Sequence, residues 1–321
     1  FMPYLDKLQI YEKKDSFNVF NNRAVFNGDL LVQPTGLTGS GTIKLDKAEL
    51  HSDFFSYNAN WFGADTASLS VYEDNGGVAF SATNLRSHID LNLREGVFYS
   101  NGIGSYVDFP TNQYICYIDK LQWDMDNSEL TLGDNNPSLS AGSRFISTAK
   151  EQDSLTFIAK SASYNLSDYI IHAGGVDEFF IADAIIQPNS GIITVSKEGL
   201  LNTLQDATII VDSVDKYHTF MHSNVDIKSS NVYTANGYYT YEDGMSNQQE
   251  IFFDKILLNK DNITSAYSTV KNNNPFHIDN KFHFKGSIEL TSNSKNLIFD
   301  GYFKANHECN LINKEWVKFR S

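Results

Sequence analysis

A short phrase recurs along the 321 residues of this chain: an alternating apolar and polar run, a tight polar turn, a second alternating run, then Gly or Asn. Copies lie at residues 88–102, 121–133, 162–175, 184–196, 224–237 and 288–301. Alternation with a period of two sends successive side chains to opposite faces of an extended chain, so each run reads as a half-buried strand. Further alternating runs occupy 42–45, 68–72, 114–123, 155–158, 207–211, 251–258 and 282–290. Few windows repeat apolar residues at helical spacing, and the best helix candidate is 198–205. Spacing between copies is irregular, which makes the phrase a degenerate repeat.

One such phrase cannot stand alone. Ordering about eight residues costs roughly 12 kcal/mol at about 1.5 per residue, whereas burying three or four apolar side chains returns only about 2 kcal/mol each. Stacked on neighbours, each strand shares its ladder and its inward face becomes core. The expected fold is therefore all-β, an elongated repetitive β-solenoid or β-jellyroll stack of short strands, with a globular antiparallel β-sandwich as the alternative. The closing Gly or Asn is expected to turn the corner from one face to the next with positive φ. Residues 1–321 read as a single elongated segment with a kink or boundary at 133–142, and a fainter break follows at 271–275. Residues 316–321 stop within an alternating run and residues 1–12 lack the apolar centre of a leader, so a piece of a larger polypeptide is expected.

Charge narrows the partners. Lys and Arg number 25 against 39 Asp and Glu, a formal charge of −14, which repels phosphate backbones and makes nucleic acid an unexpected partner. No apolar run is long enough for a transmembrane helix. Two cysteines, Cys116 and Cys309, are too few for a disulfide framework or a thiolate metal cage.

The chemistry-bearing residues form few constellations. His218 and His222 have i, i+4 spacing, but on a strand that places them on one face about 13 Å apart, too far for one metal ion. The pairs His277 with His283 and His307 with Cys309 read as surface pairs, and no metal or cofactor is expected. Asp124 and Asp126, at i and i+2, would share one strand face about 7 Å apart, a spacing that suits an acid and base pair for glycoside cleavage. With Trp123 they form the candidate carbohydrate site, although Asp126-Asn127-Ser128 is also an ordinary polar turn. Trp61, Trp123 and Trp316 are candidate sugar-stacking platforms, a role that competes with cross-strand packing. No nucleophile elbow or phosphate-binding loop is present.

Phe98-Tyr-Ser-Asn-Gly102, Phe109-Pro-Thr-Asn-Gln-Tyr-Ile-Cys-Tyr117, Gly142-Ser-Arg-Phe-Ile146, Phe180-Ile-Ala-Asp-Ala184 and Trp316-Val-Lys-Phe319 resemble a group of very long, uncharacterised cell-envelope proteins of Bacteroidota. A second similarity, carried by Ser128-Glu-Leu-Thr-Leu-Gly133 and Asn231-Val-Tyr-Thr-Ala-Asn-Gly237, is to the β-jellyroll repeats of lipopolysaccharide-transport bridges. The first resemblance implies a Gram-negative envelope protein in the periplasm or at the outer membrane. The second implies an open β structure with an apolar groove along its length. Together they lead to the expectation of a non-enzymatic envelope scaffold or conduit, with envelope proteins or lipid as partners. In that reading Val97, Tyr99, Leu130, Leu132, Ile192, Val232 and Leu297 line the groove. A carbohydrate-binding or carbohydrate-active β-helix is the alternative.

Overall fold

The computed structural model describes residues 8–10, 16–133, 142–212, 214–271, 276–307, 309 and 315–321. Its strands form two large antiparallel sheets, one of them curled into a half-barrel. Helical structure among the described residues is limited to single turns at Lys150–Gln152 and Lys197–Gly199, and no helix there is long and apolar enough to cross a membrane. The chain divides into two compact units. The first comprises Phe1–Lys150, Thr156–Val176 and Ile192–Leu200, and the second Glu151–Leu155, Asp177–Gly191 and Leu201–Ser321. The kink or boundary read at 133–142 falls almost wholly on residues 134–141, outside the described residues.

In the first unit, Ala24–Gln33, Gly36–Lys44, Ala48–Tyr57, Trp61–Tyr72 and Val78–Asp90 make an antiparallel meander. At Val78–Asp90 the sheet forks. Trp61–Tyr72 takes one edge of this strand, while the other is divided between Glu95–Ser100, paired with residues 85–90, and Tyr106–Phe109, paired with 81–83. From Glu95–Ser100 one arm runs on through Lys120–Asp124, Glu129–Leu132, Ser161–Asn165, Ile170–Gly174 and Ile193–Val195. From Tyr106–Phe109 the other continues through Tyr114–Tyr117, Ser143–Ser147 and Thr156–Ala159.

The arms face each other across an aromatic core. The Phe109 and Tyr164 rings lie 4.8 Å apart, and the Tyr164 hydroxyl donates to the Ala79 carbonyl at 3.3 Å. Fully buried Asn112, in the turn after Tyr106–Phe109, sends its amide to the carbonyls of Tyr169 (2.8 Å), Ser196 (3.1 Å) and Val195 (3.2 Å) in the opposite arm.

Most copies of the phrase are hairpins, as their alternation requires. The copy at 184–196 is not: Ala184–Gln187 belongs to the second unit's sheet and Ile193–Val195 to the first's. The run at 114–123 is two strands in different arms, because the chain crosses between layers at Ile118 and Asp119. The helix read at 198–205 does not form. Glu198 has φ +59 and its N–H donates to the Thr111 carbonyl at 2.8 Å, a tertiary bond in place of a helical one, and Leu204–Val211 is a strand. The expected positive-φ corners are found at Gly102, Gly133 and Gly175, whereas Gly237 and Gly301 lie inside strands.

The second unit is a single antiparallel sheet. Its order is Phe179–Ile181, Ala184–Gln187, Leu204–Val211, His218–Ser229, Val232–Glu242, Gln248–Leu258, Thr264–Val270, Phe282–Thr291, Ile298–Ala305 and Val317–Arg320. Bulges on both sides of His218–Ser229 bend that strand strongly. Straight, it would place His218 and Ser230 roughly 40 Å apart. Yet Ala182 donates to the Ser230 carbonyl at 3.0 Å, while neighbouring Ala184 is about two ladder spacings, some 10 Å, from His218.

The turn at Ala182 and Asp183 clamps this curl. The Asp183 carboxylate accepts the Thr264 N–H at 2.9 Å, the Thr264 hydroxyl at 2.6 Å and the Ser292 hydroxyl. Buried Tyr233 in turn donates to the Thr264 hydroxyl oxygen at 2.7 Å, and burial raises its own pKa.

His218 and His222 do not share a face, contrary to their sequence spacing, because the bulge between Met221 and Asn224 intervenes. His222 is exposed and bonded to Asp206 at 2.6 Å. His218 is buried, with Nε2–H donating to the Ser294 carbonyl at 2.6 Å, so Nδ1 is left to accept the Tyr239 hydroxyl at 3.2 Å. Burial holds its pKa below the ordinary 6.5, outweighing the Ser294 bond, which pulls it up. Below pH 6.5 the unfolded chain therefore binds a proton that the folded one resists. This contribution to stability is complete above 6.5 and is lost as the pH falls toward the folded pKa. Between pH 7.5 and 5.5 the melting temperature of the second unit should decline, and His218→Gln should flatten that decline; equal slopes would remove His218 from the account.

Candidate binding groove

Irregular pairing in the first meander shapes a groove on its outer face. The ladder between Ala48–Tyr57 and Trp61–Tyr72 breaks after His51–Ser68 and resumes at Ser56–Gly63. In the gap Ser52 Oγ donates to the Thr66 carbonyl at 2.7 Å and accepts the Phe54 N–H at 3.1 Å, while Asn101 donates to the Asp65 carbonyl at 2.8 Å. Interruptions of this kind re-aim side chains, and here Phe54 turns outward, 60% exposed.

The resulting groove, about 330 Å³, is lined by Phe54, Ser56, Trp61, Gly63, Asp65, Arg86, His88 and Tyr99. Cross-strand register assembles it, with Ser56 opposite Gly63, Gly63 opposite His88, and Arg86 opposite Tyr99. The Trp61 and His88 rings are 4.9 Å apart, and the Arg86 guanidinium lies 5.0 Å over the Tyr99 ring. Gly63 is the floor. A Cβ there would lie 2.6 Å from the Ser87 carbonyl, so the position admits no side chain and the space between the aromatic walls stays open.

Three aromatic rings, a guanidinium, an imidazole, a hydroxyl and one carboxylate form this surface. Flat apolar faces interleaved with hydrogen-bonding groups match a ligand that is apolar on its ring faces and polar at its edges. Of the lining residues, Tyr99 and Trp61 were legible as candidates. Phe54, Asp65, Arg86 and His88 were not; an outward Phe beside a Trp-Phe-Gly step is the signal that would have found them.

The remaining predicted residues are dispersed. Val97 is half-buried beside His88 at the groove's edge. Leu130 and Leu132 are fully buried in the first unit's core, so neither lines an accessible surface. Ile192 is exposed in the first unit, and Val232 and Leu297 belong to the second, Val232 exposed and Leu297 half-buried.

Asp124 and Asp126 do not form a facing pair, because the strand ends at Asp124 and Asp126 lies in the turn. The Asp124 carboxylate accepts the Asn127 N–H at 2.9 Å, the Asn127 amide at 2.7 Å and the Asp126 N–H at 3.0 Å. These bonds, those from Asn127 foremost, hold its carboxyl below the usual range, the reverse of what a general acid needs. Asp126 is engaged by Arg94, and Trp123 points inward. Cys116 is buried, which pushes its thiol up, and Cys309 is exposed.

No protein-family model matches the chain, and no curated protein matches it.

Proposed function

We propose that the chain is a non-enzymatic segment of a cell-envelope scaffold, in the periplasm or at the outer membrane of a Gram-negative bacterium, and that its first unit binds an envelope saccharide. The outer-face groove carries this reading: the rings of Phe54, Trp61 and Tyr99 offer platforms for pyranose faces, with Arg86, His88, Asp65 and Ser56 beside them for hydroxyls. The resemblance to Bacteroidota envelope proteins supports the location. A saccharide is favoured over a lipid running along an inner groove because the inward residues Leu130 and Leu132 are covered by the protein itself. The scaffold reading includes an extended, jellyroll-type stack, supported by the run of hairpins in each unit.

Calorimetric titration with soluble hexose and N-acetylhexosamine oligosaccharides tests the groove. Trp61→Ala should weaken the responding sugar at least tenfold, a loss of about 1.4 kcal/mol, and Tyr99→Ala should weaken it less. Full affinity in Trp61→Ala, or no response to any sugar at millimolar concentration, would sink the reading. For the scaffold, solution scattering should give a radius of gyration well above the roughly 20 Å of a compact chain this long.

A further inference from the structure

We propose that the second unit binds an acidic polysaccharide in an open groove on the outer face of its last three strands. This goes beyond the saccharide groove of the first unit and shares no residue with it. The groove, about 570 Å³, runs across Phe282–Thr291, Ile298–Ala305 and Val317–Arg320, with Lys271 at its rim just after Thr264–Val270. Cross-strand register builds it. Lys285 lies opposite Tyr302 and Tyr302 opposite Lys318, so two ammonium groups flank one ring along a single row. Gly286 and Gly301, opposite each other, form the floor. A Cβ on Gly286 would lie 2.4 Å from the Asp300 carbonyl, and one on Gly301 2.2 Å from the Lys285 carbonyl. Neither position admits a side chain, so the bottom of the groove is bare backbone.

The charge of the groove is one-sided. Lys271, Lys285 and Lys318 line it together with a single carboxylate, Asp300. That carboxylate faces Arg320 across the ladder at 3.7 Å and so already has a partner. None of the three lysines forms an ion pair among the described residues. With Glu289 and the flanking Glu315 also counted, Lys271, Lys285, Lys304, Lys318 and Arg320 still outnumber the acids here, in a chain of formal charge −14. Lysines in one row of neighbouring strands repel, and an anion from outside would offset that repulsion.

Lys285 is held without being neutralised. Its Nζ lies 4.3 Å from the centre of the Trp316 ring and 5.6 Å from that of Tyr302. Such contacts fix an ammonium group, leave its charge intact and leave it able to donate to an oxyanion. Ammonium groups are point charges without the planar fork of a guanidinium, so the groove reads negative charge spaced along a chain. Lys271 and Lys318 are three ladder spacings apart, about 14 Å, a reach that suits an extended polymer better than one small anion. A bilayer would meet the rim of the groove and miss its floor. A nucleic acid, charged at every residue, is opposed by the net charge of the chain more strongly than a glycan with sparser acids.

Calorimetric titration of the folded chain with oligogalacturonate, its methyl ester, dextran sulfate and dextran tests the proposal. Both acidic glycans should saturate a site at least tenfold more tightly than their neutral counterparts. Raising salt from about 50 to about 300 mM should weaken them severalfold, because exposed charges are screened. Lys285→Gln combined with Lys318→Gln should weaken both at least tenfold, whereas Lys285→Arg should bind nearly as the parent does. Trp61→Ala, altered only in the first unit's groove, should bind the acidic glycans unchanged, so the two sites stand or fail separately. Neutral and acidic glycans binding equally, no saturable binding of either acidic glycan, or full affinity in the double variant would overturn the site. Tighter binding of oligothymidylate or of phosphatidylglycerol vesicles than of either acidic glycan would overturn the choice of a polysaccharide.

Discussion

Asn112→Asp is expected to destabilise the first unit by about 3–5 kcal/mol, the range for a buried charge left without a partner. The Asn112 amide is the donor for three carbonyls, those of Tyr169, Val195 and Ser196, at a fully buried position. Aspartate is nearly the same size but presents only acceptors, so the substitution sets a carboxylate against three carbonyl oxygens with no water to screen them. Asn112→Ala removes the donor without adding charge and should cost less, about 1–3 kcal/mol. Urea unfolding of both variants checks the order. If aspartate proved no worse than alanine, the three-carbonyl junction would not be what joins the arms.

The second unit should be most sensitive at Asp183. Its carboxylate takes hydrogen bonds from the Thr264 N–H, the Thr264 hydroxyl and the Ser292 hydroxyl, and both donor residues are buried. Bonds to a charged acceptor contribute about 1.5–3 kcal/mol each and are not additive within one network. Asp183→Ala should therefore cost about 3–5 kcal/mol, with Asp183→Asn intermediate because one oxygen remains. Hydrogen exchange should locate the damage, with faster exchange in Val232–Glu242 and Thr264–Val270. A loss below about 1 kcal/mol, or faster exchange confined to the turn at Ala182, would show that the curl holds without the clamp.

Alternation carried most of the fold. Runs such as 251–258 and 282–290 lie within the strands Gln248–Leu258 and Phe282–Thr291, because a half-buried strand displays its period directly in the sequence. What escaped depends on contacts between distant residues. The crossing at Ile118 and Asp119 is marked only by two consecutive polar residues, Asp119 and Lys120, which shift the inward set from Tyr114, Cys116 and Ile118 to Leu121 and Trp123, a one-residue slip that does not by itself announce a change of layer. Glu198 sits in a helix-like string whose backbone is claimed by Thr111. The bulge at Met221–Asn224 reverses the facing of His222, and bulges leave little trace in a period-two pattern. The groove was half legible for the same reason: Trp61 and Tyr99 are conspicuous as residue types, but only cross-strand register brings Arg86 and His88 to them.

The division of one edge of Val78–Asp90 between two partners also has a mechanical consequence. Layers of a sandwich linked only by side chains can slip along their greasy contact under shear. Here both layers are sewn to the same strand by backbone ladders, so sliding one past the other means tearing stitches at the hem. Under load the first unit should therefore yield as one piece.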